Sequence, residues 1–402
     1  MKRCKKHFKI NPFSSFLFNN FYIIKIEEEE SMNIVLLAPG FLISKKEATW
    51  ITLTDLAKEY KNKGHFVAIV AEKHPGLPVL EIVNGIKVYR LFSGKFRKGY
   101  KTIKEIQQRE KITVDIIHGF GSSPLMALNT FFAKKAAPKA RIIHTIKSRS
   151  LEFWNGEKLS RLLNSMDRVT FPSKVMREFF VQKGLKKEKT RIIRSNINTT
   201  RFRPRNKEEL KKKFGFLGKK VVLYYGAIRK EKGVDCLLQA APEIVKEFPD
   251  VKFVLAIRSN AVEKKEIYMK MAEELECKNY VTITLDDLPI EEYVSMADCV
   301  VLAYPTLVGT EGNPSCLLES MAAKTPVITT SLPELQEIAQ KDEEVLMAIP
   351  GDAHSVAEEV KRLFKDKQLG EKIAEKGYHK AQDFSVENVS AVFLQLYEEL
   401  NE

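Results

Sequence analysis

Short apolar runs alternate with helical patterns along most of the chain. From Met32 onward, runs such as NIVLLAPG, HFVAIVA and VDIIHGFG indicate buried strands, and segments such as ATWITLTDLAKEYKNKG between them have helical spacing. This alternation predicts a mainly parallel sheet covered by helices on both faces. The pattern breaks at NINTTRFRPRNKEELKKKFG, where Pro204 and a run of charges interrupt it, and resumes with KVVLYYGAI.

Two doubly wound α/β domains are therefore expected in succession. We predict a first Rossmann-like domain over residues 32–205, a second over 206–385 and a C-terminal helix over 386–402 that packs back on the first domain. Sheets of this type bind ligands beyond the carboxyl ends of their strands. Two such domains facing each other predict a cleft that holds the chemistry.

The opening segment, residues 1–31, fits neither domain. Its apolar part is interrupted by Asn19, Asn20 and Lys25, so it falls short of the ~20 apolar residues of a spanning helix, and it has no small-residue cleavage site. One hypothesis is that Met32 is the true start and that the segment is disordered or not native. The alternative is that FLFNNFYIIKI lies as an anchor at a membrane surface.

Composition is that of a globular chain, with 44% hydrophobic and 29% charged residues, but the charge is unevenly divided. Residues 32–205 carry 35 Lys and Arg against 13 Asp and Glu, a formal charge of +22, whereas residues 206–402 carry a charge of −10. The first half is expected to meet an anionic partner, unless its lysines are simply solvated. Five widely spaced cysteines suggest neither disulfides nor zinc and favour a reducing, cytoplasmic setting.

The segment GTEGNPSCLLESMAAKTPVIT places two glutamates, Glu311 and Glu319, around a predicted helix N-terminus. Asn313 is the expected N-cap and Pro314 the first helical residue. The N–H groups of such a terminus suit a phosphate or diphosphate, and carboxylates suit the paired hydroxyls of a ribose or a pyranose. A capping glutamate with a solvent-facing helix glutamate is the simpler interpretation of the pair alone.

Three longer segments resemble the family-four glycosyltransferases of the GT-B fold. They are EGNPSCLLESMAAKTPVITT, YGAIRKEKGVDCLLQAAP and IEEYVSMADCVVLAYP, and the resemblance extends over about residues 32–400, specifically in the second domain and weakly in the first. It implies transfer of a sugar from a nucleotide-diphosphate sugar with retention of anomeric configuration. In such a reaction the donor phosphate takes the acceptor proton, so no separate general-base pair is required.

The resemblance also assigns site residues. Glu319 would bind the ribose of the donor, Glu311 the transferred sugar and Lys232 the diphosphate, whose developing charge a fixed cation stabilises. No Asp-x-Asp occurs and the seven histidines do not cluster, so no metal or other cofactor is expected. The remaining candidates for the donor are Gly312, Asn313, Ser315, Gly226 and Gly40. For the acceptor the candidate is the strand-end His118, which either faces the cleft or is a buried strand-end histidine.

Four departures from the family pattern accompany this resemblance. Ala227 stands where the family has an arginine, and Arg229 is a candidate replacement. Lys147 stands where the family has a histidine and is a candidate catalytic group, because strand alternation puts His144 on the opposite face. Only Gly40 remains of a paired-glycine loop, and Arg258 replaces part of a glycine-rich turn.

The sequence thus predicts a metal-independent hexosyltransferase with a carbohydrate, lipid-linked or phosphate-bearing acceptor. It would act in the cytoplasm, with an anionic surface at the inner face of the membrane as a further partner, and not on nucleic acid. Two alternatives remain open: a non-catalytic nucleotide-sugar or polyanion binder, favoured by Ala227 and Lys147, and a nucleotide-sugar epimerase of the same fold.

Overall fold

The computed structural model describes residues 31–38, 48–73, 76–92, 98–149, 156–257, 262–284 and 288–402, without the side chains of 48, 49, 91, 92, 98, 262 and 264. The predictions made for residues 1–30, Gly40 and Arg258 lie outside these described residues. Among the residues described, no helix combines the length and the apolar character needed to cross a membrane.

The first sheet has eight strands in the order β3-β4-β2-β1-β5-β6-β7-β8. All neighbours pair in parallel except β3 and β4. The strands are β1 (Asn33–Ala38), β2 (Phe66–Glu72), β3 (Leu80–Val83), β4 (Ile86–Phe92), β5 (Ile116–Phe120), β6 (Arg141–Thr145), β7 (Arg168–Phe171) and β8 (Thr190–Ile192). The helices are α1 (Ala48–Asn62), α2 (Lys98–Glu110), α3 (Pro124–Ala133), α4 (Gly156–Leu163) and α5 (Lys174–Gln182).

The antiparallel pair of β3 and β4 was not predicted. Asn84 and Gly85 join the two strands with φ of 51° and 78°, the left-handed conformation that a tight hairpin turn requires. The hairpin places β3 at the edge of the sheet.

The second sheet has six strands, all parallel, in the order β11-β10-β9-β12-β13-β14. The strands are β9 (Lys220–Gly226), β10 (Val251–Ile257), β11 (Val281–Thr284), β12 (Cys299–Val301), β13 (Val327–Thr330) and β14 (Leu346–Ala348). The helices that follow the first domain are α6 (Lys207–Phe214), α7 (Val234–Glu247), α8 (Val262–Glu274), α9 (Ile290–Met296), α10 (Ser315–Ala322), α11 (Pro333–Gln336), α12 (Ala353–Lys365), α13 (Lys367–Gln382) and α14 (Val386–Asn401). The prediction of two mainly parallel sheets is confirmed.

Chain order reverses between β9 and β12 in the second sheet and between β1 and β5 in the first. Ligands of doubly wound sheets bind in the crevice that such a reversal opens at the carboxyl ends of the strands. Among the described segments, the loops after β5, β9 and β12 lie beside these crevices.

The chain crosses between the domains twice, and the two crossing segments lie side by side. Ile193 belongs to the core of the first domain and Ile197 to that of the second, so the first crossing lies before the predicted boundary at 205. Ile197 forms a parallel bridge with Ser385, where the chain returns. Helix α14 then contributes Phe393 and Tyr397 to the core of the first domain.

Candidate active site

Two loops from different domains pair directly with each other. The segment after β6 meets the segment that precedes α10 through an antiparallel bridge between Ser148 and Glu311. The N–H of Gly312 donates to the carbonyl of Lys147 at 3.3 Å, and that of Gly309 to the carbonyl of Arg149 at 2.9 Å. Lys147 and Glu311, which are far apart in sequence, are thereby brought together at the junction of the domains.

A second contact joins the domains through Glu337, which the sequence analysis missed. Its carboxylate accepts the N–H groups of Lys174 and Val175 at 2.7 and 2.8 Å, at the N-terminus of α5. It also accepts a hydrogen bond from Arg194 at 3.0 Å. A carboxylate at a helix N-terminus is favoured by the helix dipole, so Glu337 stabilises the contact between the domains.

Helix α10 begins one residue later than predicted. Pro314 has φ −65° and an extended ψ of 122°, so it is the N-cap residue rather than the first helical one, and no side chain caps the helix. Asn313 is therefore not the N-cap. It is fully buried, and neither Oδ1 nor Nδ2 has a hydrogen-bond partner among the described residues. Ser315, the first helical residue, is also buried.

Glu319 is half-buried on α10 and interacts with Tyr225, which the sequence analysis also missed. The Tyr225 hydroxyl donates to Oε2 of Glu319 at 3.1 Å and lies within hydrogen-bonding distance of the Cys316 carbonyl, at 2.9 Å. The pKa of Glu319 is raised to about 7: burial is the main cause and the charge of Glu311 adds to it, while the hydrogen bond from Tyr225 and the positive charge of Arg201 act in the opposite direction. The negative charge of Glu311 thus acts on Glu319 across the first turns of the helix.

Lys232 is held next to Thr310, the residue that precedes Glu311. It lies in a short 3-10 turn after β9, donates to the hydroxyl of Thr310 at 3.0 Å and stands 5.2 Å from the ring centroid of Tyr304. Gly233 makes this placement feasible: its φ is +72°, and a Cβ there would lie 1.8 Å from the carbonyl oxygen of Ala303. The cation is therefore fixed against the loop that leads into α10.

Lys147 is half-buried above the ring of Phe120, 6.0 Å from its centroid. Burial lowers the pKa of Lys147, and the negative charge of Glu311 raises it. An amine in such surroundings can act as a cation or give up a proton more readily than an exposed lysine.

Gly226 and Arg229 precede Lys232 on the segment that leaves β9, and they differ in exposure. Gly226 ends β9 with φ +130° and is half-buried, and a Cβ there would approach Cys316 to 3.7 Å. Arg229 is exposed, with extended backbone just before the 3-10 turn. Its role as a second cation remains a prediction.

The expectation that His118 faces the cleft is wrong in this structure. His118 lies within β5, is fully buried, and has Nδ1 2.6 Å from the Tyr397 hydroxyl and Nε2 2.6 Å from the Thr145 hydroxyl. Burial lowers its pKa well below the usual value. His144 is also buried and bonded, to Thr130 and to the carbonyl of Gly121.

One group of side chains that could hold a metal is found among the described residues, and none of its members is a predicted site residue. It consists of Glu243, His354 and Glu358 on the surface of α7 and α12. Lys361 forms ion pairs with both glutamates. The three side chains therefore also fit a surface network of ion pairs that holds no metal.

The comparisons with known proteins agree with the fold and extend over both domains. A family model described as "Glycosyltransferase Family 4" matches residues 50–201, and one described as "Glycosyl transferases group 1" matches residues 206–380. The crystal structure of Anabaena HepE in complex with UDP-glucose superposes with a TM-score of 0.75 at 16% identity, covering 92% of this chain and all of HepE (100%).

Two curated relatives are similar over shorter stretches. The D-inositol 3-phosphate glycosyltransferase of Corynebacterium urealyticum is 27% identical over 231 residues, which is 55% of this chain and 54% of that protein. The alpha-monoglucosyldiacylglycerol synthase of Streptococcus pneumoniae is 26% identical over 285 residues, 66% of this chain and 60% of that protein. With family models that match both domains and a GT-B architecture, the chain belongs to the group 1 glycosyltransferases of family four.

Proposed function

We propose that this glycosyltransferase transfers a sugar from a nucleotide-diphosphate sugar to an acceptor bound between its two domains. The observation that carries the proposal is the convergence of Glu311, Glu319, Lys232 and Lys147 at the first turns of α10. Three of these residues come from loops of both domains and Glu319 comes from α10 itself. Together they combine cations with carboxylates, as a phosphorylated sugar requires.

The donor nucleotide would occupy the second domain. The unblocked N-terminus of α10 and the ammonium of Lys232 are suited to a diphosphate, because both present positive charge. Glu319 would accept hydrogen bonds from ribose hydroxyls and Glu311 from the sugar. The presence of UDP-glucose in HepE supports a nucleotide-sugar donor here.

The reaction breaks the bond between the anomeric carbon of the sugar and the diphosphate oxygen, and forms a bond from that carbon to an acceptor oxygen. Negative charge grows on the departing diphosphate, where Lys232 and Lys147 stabilise it. The acceptor proton passes to the departing phosphate oxygen, on the same face of the sugar, so the anomeric configuration is retained. Transfer would need no metal, since the cations are supplied by the protein.

The acceptor would bind on the first domain. Its charge of +22 over residues 32–205 favours an acceptor with phosphate or one presented by an anionic membrane. The relatives named for inositol 3-phosphate and for diacylglycerol support these two classes alongside a plain carbohydrate. We place the activity in the cytoplasm, at the inner face of the membrane.

The test is release of nucleoside diphosphate from a panel of nucleotide sugars, with and without acceptors of each class. Lys232→Met is expected to lower the transfer rate by roughly 10²–10³-fold, because it removes one preorganised charge contact. Lys230→Met is the matched control, since Lys230 is an exposed lysine of the same 3-10 turn. Binding of nucleotide sugars without release from any of them would instead show a non-catalytic binder.

A further inference from the structure

We propose that Tyr225 is a positioning residue for donor binding, which holds the Glu319 side chain in place and favours its ionised form. Tyr225 is the last residue of β9 before Gly226 and lies outside the motif around Glu311 and Glu319. The inference rests on the proposed function, because it takes Glu319 as the carboxylate that binds the donor ribose. It adds to that function a further residue and a dependence of donor affinity on pH.

The hydroxyl of Tyr225 lies among three oxygen atoms of α10. They are Oε2 of Glu319 at 3.1 Å, the carbonyl oxygen of Cys316 at 2.9 Å and Oγ of Ser320 at 3.2 Å. The tyrosine is only 6% exposed and belongs to the core of the second domain, so its ring is fixed by packing. The hydroxyl therefore holds the Glu319 side chain in one orientation relative to β9 and α10.

The Tyr225 hydroxyl has one proton, and the contacts of its neighbours direct that proton to Glu319. Ser320 donates its own proton to the Cys316 carbonyl at 2.7 Å, so this carbonyl already has a donor. An ionised carboxylate is a stronger acceptor than such a carbonyl, because hydrogen bonds to charged groups are the stronger ones. Burial raises the pKa of Tyr225 well above its usual value, so the hydroxyl keeps its proton over the pH range in which Glu319 ionises.

This hydrogen bond favours the charged form of Glu319. Burial is the main cause of the raised pKa of about 7, and the bond from Tyr225 is the largest influence in the opposite direction. Charges on other elements act as well: Arg201, on the segment between the domains, lowers the pKa, whereas Glu311 before α10 and Glu291 on α9 raise it. Removal of the Tyr225 hydroxyl should therefore raise the pKa of Glu319 further.

Donor affinity should follow the ionisation of Glu319. A carboxylate offers acceptor sites on both oxygens, whereas a protonated carboxyl group uses one oxygen to carry the proton. Oε2 accepts the bond from Tyr225, and Oε1 takes no hydrogen bond from the described residues, so Oε1 is the atom that can accept a ribose hydroxyl. Donor binding is therefore expected to weaken as the pH falls through about 7.

The experiment is calorimetric titration of the full chain with UDP-glucose, UDP-N-acetylglucosamine, GDP-mannose and ADP-glucose, and the probe is the one of these that binds most tightly. The diphosphate of a nucleotide sugar keeps its charge between about pH 6 and about pH 8.5, so any pH dependence in this range comes from the protein. Tyr225→Phe should raise the dissociation constant about tenfold at pH 6, because it removes a hydrogen bond to a charged group. At pH 8.5, where Glu319 is mostly ionised in both proteins, the increase should be less than about threefold.

Tyr224→Phe is the matched control. It removes the hydroxyl of the neighbouring buried tyrosine, which donates to the carbonyl of Ala227 at 2.7 Å. Consecutive side chains of a strand point to opposite faces of the sheet, and Tyr224 and Tyr225 accordingly belong to different core clusters. Any change in the dissociation constant of Tyr224→Phe should be the same factor at every pH. The same behaviour in Tyr225→Phe, or no change at all, would overturn the proposal.

A second readout needs no ligand. Denaturant unfolding is measured with and without Glu319→Gln, in the natural chain and in Tyr225→Phe. The stability gained through the glutamine should grow as the pH rises above 4.5 and level off at the pKa of Glu319 in the folded protein. In Tyr225→Phe it should level off at a higher pH, and an unchanged pH would overturn the proposal. If this pH rises but the natural chain binds none of the four nucleotide sugars, the proposed function and the donor-binding role of Tyr225 are overturned, and only its hydrogen bond to Glu319 is supported.

Discussion

At the scale of single residues, burial of the Glu319 carboxylate sets the pH at which this site residue ionises. The pKa of Glu319 is raised to about 7 by burial, above the usual value of 4.5 for glutamate. A raised pKa means that the folded state holds the proton more tightly than the unfolded state. Glu319 therefore contributes stability that is complete below pH 4.5 and is lost as the pH rises through about 7.

We predict that Glu319→Gln raises the unfolding temperature of the unliganded protein at pH 8 and leaves it nearly unchanged at pH 4.5. The amide cannot ionise, so it lacks the cost of a buried charge, and at the lower pH both side chains are neutral. Thermal unfolding at the two pH values measures this. A shift of the same size at both would assign the effect to packing instead of ionisation.

Asn313 supports a second prediction, because it is buried with no partner for either polar atom among the described residues. An unpaired buried amide costs ~1–3 kcal/mol. Asn313→Leu, similar in volume, should therefore raise the free energy of unfolding by about that amount without ligand. If the amide binds the donor, the same change should weaken nucleotide-sugar binding by roughly tenfold or more.

Calorimetric donor titration and denaturant unfolding separate the two roles of Asn313. A variant that is both less stable and unaltered in donor binding would show that the amide is a structural group whose partner is a buried water. Glu311→Ala is a useful comparison, since it is expected to lower turnover more than donor binding.

At the scale of elements, the contact between α5 and α11 controls how the domains meet. Glu337, just after α11, accepts two backbone N–H groups of α5 and a hydrogen bond from Arg194. These are charge-assisted bonds between groups of both domains, so they stabilise the arrangement in which Lys147 and Glu311 adjoin.

We predict that Glu337→Ala raises the Michaelis constant for the donor several-fold by favouring separated domains, with a smaller effect on the stability of each domain. Arg194→Met tests the same contact from the other side, since Arg194 donates to Glu337. In a double-mutant cycle the two changes should be non-additive. Additive effects on the Michaelis constant would mean that the two residues act separately.

The periodicity of apolar residues predicts the repeating strands and helices of both sheets, but it does not predict the β3–β4 hairpin or the first residue of α10. Alternating apolar and helical segments predicted both sheets, because strands buried on both faces leave continuous apolar runs. The hairpin of β3 and β4 does not follow from this alternation, because its two strands are joined by the two-residue turn Asn84-Gly85 with no helix between them. The start of α10 was placed one residue early because the extended ψ of Pro314 cannot be inferred from its fixed φ.

At the scale of the whole molecule, contacts between residues far apart in sequence determine features of the site that no local sequence pattern predicts. The motif around Glu311 and Glu319 identified the loop and helix of the second domain, but the pairing with residues 147–149 has no local pattern. His118 was assigned to the acceptor side because it stands near a strand end. The partner of its ring, Tyr397, arrives from α14 at the other end of the chain.

The final prediction concerns this closure of the first domain by α14. The hydroxyl oxygen of Tyr397 lies 2.6 Å from Nδ1 of His118 and 3.4 Å from the hydroxyl oxygen of Tyr60. These residues belong to a core that α14 shares with β5 and α1. Removing the Tyr397 hydroxyl leaves a fully buried ring nitrogen without this partner. Tyr397→Phe should therefore lower the free energy of unfolding by ~1–3 kcal/mol.

Tyr60→Phe is the matched control, because it removes a hydroxyl whose contact with Tyr397 is longer and leaves the bond between Tyr397 and His118 in place. It should cost less than Tyr397→Phe in denaturant unfolding. Neither change should alter nucleotide-sugar turnover at saturating substrate, since the network is buried in the core of the first domain. If Tyr60→Phe costs as much, the helix is held by packing of its aromatic rings, and the hydrogen bond to His118 contributes little.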